Sequence, residues 1–74
     1  MFEPHHSAFV ARDYANTVLR TPEVTTLTGL SRATIYRMMA ADAFPRQRKL
    51  GPNSVGWLHG EIRDWINSRP PVHT

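Results

Sequence analysis

The chain has no cysteine, which excludes a disulfide framework and any thiolate metal site. It also has no apolar run near the ~20 residues of a membrane-spanning helix. Its first residues, MFEPHHSAFV, lack the basic-then-apolar pattern of a secretory leader. A cytoplasmic protein is therefore expected. No catalytic constellation stands out either. Asp13, Glu23, Asp42, Glu61 and Asp64 are scattered, with no nucleophile–base or ligand spacing among them. His5–His6 is too short to form a metal site, and His59 and His73 lie far along the chain. No enzyme, metal, cofactor or small-molecule substrate is expected. The 74 residues allow one small domain. A core of that size rarely supplies more than ~3–5 kcal/mol. Lysine is nearly absent too: Lys49 stands beside eight arginines.

What is present is organised around Thr21 to Ala41, TPEVTTLTGLSRATIYRMMAA. Thr21 suits an N-cap, Pro22 the first helical position, and Glu23 the positive helix end. Val24, Leu27 and Thr28 share one face by their i, i+3, i+4 spacing. Gly29 ends this helix, since glycine takes the left-handed conformation without a Cβ penalty. Leu30 plugs the corner and Ser31 caps a second helix, 31–41. Ile35, Met38 and Met39 form its apolar stripe, while Arg32, Tyr36 and Arg37 lie on the other face. Two helices about a glycine corner form the layout of a helix-turn-helix. An αα-hairpin of the same layout also occurs in proteins that never touch DNA.

The charge is unevenly placed. Residues 20–49 carry a net +4 from Arg20, Arg32, Arg37, Arg46, Arg48 and Lys49 against Glu23 and Asp42, and the rest of the chain carries −1. A basic segment on an otherwise balanced surface is the footprint of phosphate binding. Arginine is the side chain that forks onto phosphates and guanine edges. The alternative is a solvated basic face with no ligand.

Residues 1–17 show no sustained period and read as a disordered or loosely docked tail. Val18 to Arg20 run extended and can add a short strand. Asp42 tolerates a left-handed turn after the second helix, Pro45 prevents continuation, and Phe44 anchors the corner. Gly51-Pro52-Asn53-Ser54 is turn chemistry between two short arms. Residues 46–57 thus form a β-hairpin with Trp57, and with it Leu50, turned inward. Arg46, Arg48 and Lys49 on its first arm suit a wing that grips phosphates. Leu58, Ile62, Trp65 and Ile66 make the stripe of a closing helix. Pro70-Pro71 ends it and leaves 70–74 frayed.

GLSRATIYRMM, then FPRQRKLGPNSVGWL, then EIRDWI resemble the AlpA family of phage and prophage transcriptional regulators. They more distantly resemble MerR-like and excisionase-like winged helix-turn-helix proteins. The resemblance spans residues 18–69. It implies a mainly α fold with a small β-hairpin, a winged helix-turn-helix binding double-stranded DNA in the cytoplasm, on the nucleoid. The implied role is transcriptional regulation on a mobile element, or DNA bending during excision as an excisionase. By the same resemblance Ser31, Arg32, Thr34, Tyr36 and Arg37 are recognition-helix contacts, and Arg46, Arg48 and Lys49 are wing contacts. Arg32 and Arg37 are expected to present guanidinium groups from one side of the helix. Thr25 and Thr26 depart from the family's aliphatic or small residues, and Asp42 stands where a glycine is common. A domain this small covers only part of a specific site, so weak self-association or a cooperative array on DNA is expected. A protein-docking module with a basic face is the alternative from another class.

Overall fold

The structure, a computed structural model, describes residues 14–72; the tail reading for residues 1–13 and the last two positions lie outside that range. A 3-10 turn at Tyr14–Asn16 leads into β1 (Val18–Leu19), α1 (Thr21–Thr28) and α2 (Arg32–Ala40). The wing strands β2 (Arg48–Gly51) and β3 (Ser54–Leu58) follow, and α3 (His59–Asn67) closes the domain. The strand order is β1-β3-β2, antiparallel throughout. This is a winged helix-turn-helix with a third strand added by the chain before α1.

The caps explain the helix ends. Thr21 is already helical and Arg20 is the N-cap, one residue earlier than the sequence suggests. Pro22 therefore holds the second helical position. Glu23 decides the boundary: its carboxylate accepts the Arg20 backbone N–H at 2.6 Å, which satisfies a group that the Thr21 hydroxyl cannot reach. Gly29 ends α1 at φ 74° and donates its N–H to Thr25. Ser31 Oγ accepts the Thr34 N–H at 3.1 Å and starts α2. Asp42, at φ 59°, takes the left-handed turn after it. The unusual threonines of α1 are satisfied locally. Thr25 and Thr26 both donate to the Pro22 carbonyl. Thr28 donates to Val24 and accepts from the Leu30 N–H, stitching the corner. Leu27, placed on the Val24 face by spacing, is 45% exposed.

Leu19, Val24, Ile35, Phe44, Trp57 and Ile62 form the core, with Leu30, Met38, Met39, Trp65 and Ile66 packed against it. Phe44 sits between the two tryptophans, edge-on to Trp57 at 6.2 Å and to Trp65 at 4.6 Å between centroids. The Trp57 indole N–H donates to the Pro45 carbonyl and that of Trp65 to the Ala43 carbonyl. The link between α2 and the wing is thus held on both sides of its one buried ring.

Two residues separate β2 from β3, with Lys49 opposite Val55 and Arg48 opposite Gly56. The register slips between Lys49 and Gly51, which turns Leu50 out of the inward position expected for it; it is 44% exposed. Trp57 does face inward, opposite Leu19. α3 starts at His59 rather than Leu58, because Leu58 still pairs with Val18 and serves as N-cap. The His59 N–H donates to the Thr17 carbonyl at 2.7 Å, so the ordered chain is joined to α3 ahead of β1. Gly56 is required by close approach: a Cβ there would lie 2.8 Å from the Leu19 carbonyl oxygen and 2.9 Å from Val18 Cγ1. Gly56→Ala should lower stability by about 1–3 kcal/mol and open the β1–β3 ladder. Antiparallel pairs alternate between bonded and non-bonded, and the His59–Thr17 bond makes Leu19 and Trp57 the next bonded pair. Hydrogen exchange at the Leu19 and Trp57 amides would report the opening, and unchanged protection would show that β1 has room to shift.

Candidate nucleic-acid interface

The solvent side of α2 carries Arg32, Ala33, Arg37 and Ala40 exposed and Tyr36 partly exposed. At ~100° per residue these span a stripe about 140° wide, with Arg32 and Arg37 at its two edges. They flank the face rather than project from one side, as the sequence reading had them. The Arg32 guanidinium lies over the Tyr36 ring, 5.4 Å from its centroid, which favours stacking by charge–quadrupole attraction. Arg37 leans the other way, 3.4 Å from Thr34 Oγ1. Between them Ala33 and Ala40 expose only methyl groups, leaving a shallow strip in which a groove floor can approach the helix. Sequence reasoning missed both alanines, although their spacing puts them there.

Ser31 and Thr34 sit at the start of this face. Ser31 both accepts the Thr34 N–H and donates to Thr34 Oγ1 at 2.9 Å. Thr34 is half-buried and its hydroxyl is already engaged by Ser31 and Arg37. The N–H groups of Arg32 and Ala33 have no intrahelical acceptor and point out of the helix start, the ordinary setting for a phosphate oxygen.

Tyr36 ties the helix to the wing. Its phenol oxygen accepts from Gln47 Nε2 at 3.0 Å. Gln47 first and the Thr21 hydroxyl second hold the phenol below its ordinary pKa near 10, because donors to that oxygen stabilise the phenolate. With its oxygen accepting from Gln47, the phenol keeps its own O–H to donate. Gln47→Ala should therefore raise the Tyr36 titration toward the ordinary value, read by ultraviolet difference absorbance at alkaline pH. An unchanged titration would mean that this bond does not form in solution. Gln47 and Thr21 carried no sequence signal of this role, being eleven and fifteen positions from Tyr36.

The wing cations do not form one strip. Neighbouring residues of a strand face opposite ways, so Arg48 shares a face with Gly56, and Lys49 shares one with Val55. Arg48 reaches across to α3 and forks onto Glu61, Nη2 to Oε2 at 2.6 Å and Nε to Oε1 at 3.4 Å. Glu61 accordingly raises the Arg48 pKa, by hydrogen bonding and then by its charge. Arg46 pairs with Asp42 at 2.9 Å, both largely exposed. Between Pro45–Arg48 and α3 runs an open groove of about 710 Å³, lined by both charge signs. Among the described residues no group of His, Asp or Glu is clustered to hold a metal ion, and no helix is long and apolar enough to cross a membrane.

Residues 17–70 match the family described as the prophage CP4-57 regulatory protein (AlpA). The chain is 49% identical over 51 residues to an uncharacterised protein, ORF88, of Enterobacteria phage P4, covering 69% of this chain and 58% of that protein. It is 41% identical over 58 residues to the DNA-binding transcriptional activator AlpA of Escherichia coli K12, covering 70% of this chain and 83% of that one. The chain thus spans less than two thirds of the phage P4 relative. No solved structure matches it. With more than two thirds of its length inside the family match, the chain belongs to the AlpA family of prophage regulatory proteins.

Proposed function

We propose that this protein is a sequence-specific DNA-binding transcriptional regulator of a phage, prophage or integrative element. α2 enters the major groove, Arg32 and Arg37 read base edges from the two sides of the alanine strip, and Tyr36 donates to the backbone. Ser31 and the free N–H groups at the helix start meet a phosphate, with Thr34 holding the cap. Arg46, Arg48 and Lys49 hold the backbone from the wing. The observation that carries this reading is the exposed α2 face, bare of internal carboxylates and joined to the wing through Gln47 and Tyr36. It is supported by 41% identity to a protein named as a DNA-binding activator. The protein acts by binding and carries out no chemistry, in the cytoplasm and on double-stranded DNA. Residues 18–69 are its DNA-binding unit, and several copies occupy neighbouring sites.

Fluorescence anisotropy tests it with two duplexes, one carrying the DNA that flanks the protein's own gene and one scrambled to the same composition. Tighter binding to the first, with a gap that survives added salt, is expected. Equal binding that collapses with salt would remove the sequence-reading part of the proposal. No binding to either would overturn it.

A further inference from the structure

The arginines of α2 and those of the wing differ in one respect. Among the described residues Arg32, Arg37 and Lys49 form no ion pair, while Arg46 and Arg48 each hold a carboxylate. The Arg46–Asp42 pair is local, four residues apart and 76% exposed on both sides, so it exchanges readily with solvent and ions. Arg48–Glu61 is different. It joins positions thirteen apart, uses two guanidinium nitrogens and both carboxylate oxygens, and is roughly half-shielded. Glu61 is also fixed from below: it lies in the first turn of α3, where the helix end favours negative charge. A carboxylate meets a guanidinium fork in the same planar, two-point manner as a phosphate. Glu61 therefore stands where a DNA phosphate would otherwise engage Arg48.

We propose that Glu61, on the scaffold helix α3, is a specificity-determining residue of the DNA interface: it occupies Arg48 in the free protein and withholds that contact until a seated duplex replaces it. This rests on the DNA-binding reading above. Phosphate contacts supply sequence-independent affinity. A wing arginine that must leave Glu61 adds little to chance encounters. It engages where α2 is already docked and the backbone is held against the wing. The bare arginines of α2 carry no such restraint. Asp64, exposed one turn further along α3, adds a second negative charge on the same side of the helix and strengthens the effect.

The test compares the native chain with Glu61→Gln, which keeps shape and one acceptor but removes the charge. Affinities for the scrambled and gene-flanking duplexes are measured from low to moderate salt. Glu61→Gln should tighten binding to the scrambled duplex about two- to five-fold, the range expected for an exposed pair. It should also steepen the logarithmic salt slope by about 0.9, one more phosphate contact. The gain on the gene-flanking duplex should be smaller, so the ratio between the two falls. Adding Arg48→Gln should abolish the gain. Glu61→Asp, which keeps the charge but shortens the reach and breaks the fork, should give a smaller change of the same sign. A native chain that binds DNA while Glu61→Gln leaves affinity and slope unaltered would overturn this proposal alone. So would a gain that persists with Arg48→Gln, which would make Glu61 a plain repulsive charge. Absence of binding by the native chain would instead remove the DNA-binding reading, and this proposal with it.

Discussion

Replacing Phe44 with alanine is expected to unfold most of the population at room temperature. Phe44 is 5% exposed and touches both tryptophan rings. Removing a buried phenyl ring costs about 3–5 kcal/mol when the cavity cannot collapse. Collapse is hindered here, because the indole N–H groups of Trp57 and Trp65 are tied to the carbonyls on either side of Phe44. The loss is as large as the whole stability expected of a core this small, ~3–5 kcal/mol. Urea denaturation followed by tryptophan fluorescence would measure it, with Leu27→Ala as a control that should shift stability by no more than ~0.5 kcal/mol. A Phe44→Ala protein within ~1 kcal/mol of native would show that the ring is not the wedge between the two indoles.

The second large effect concerns specificity. Arg37→Ala is expected to lower the preference for the gene-flanking duplex over a scrambled one by about 1–3 kcal/mol, the discrimination of one forked arginine–guanine contact. Arg32→Ala should do the same while also releasing the Tyr36 ring beneath it, so Arg37 gives the cleaner result. Lys49→Ala should act differently. It should weaken both duplexes alike and flatten the salt slope by about 0.9, as the loss of a phosphate contact does. Parallel losses on both duplexes from all three changes would refute a division between a reading helix and a gripping wing.

The features that were legible in the sequence are local ones. Gly29, Ser31 and Asp42 announce their turns because each residue type satisfies a particular backbone need. The closing helix shows in its apolar period. The first helix boundary was misplaced by one residue because two local signals competed. The Thr21 hydroxyl suggested a cap, but the Glu23 carboxylate reaches the Arg20 N–H instead. Leu50 was misread because a strand irregularity breaks the alternation that would have turned it inward. The opposite facing of Arg48 and Lys49, and the separation of Arg32 from Arg37, were implicit in period 2 and period 3.6 but are not in the sequence reading, which groups each set on one side. The polar links Gln47–Tyr36 and Arg48–Glu61 did not, because surface groups eleven and thirteen positions apart meet only once the chain has turned.

The sheet has a consequence for how the molecule is assembled. Val18 pairs with Leu58, forty positions away, so the whole helix pair and wing lie inside one closed loop of chain. The helix pair and the wing hairpin rest on near-neighbour contacts and can form on the microsecond scale. The β1–β3 ladder must bring the two ends of that loop together first, which slows the last step. Opening should run in reverse. The short β1 strand and the turn before it are the piece that detaches first, and the two helices with their wing persist as the final structured remnant.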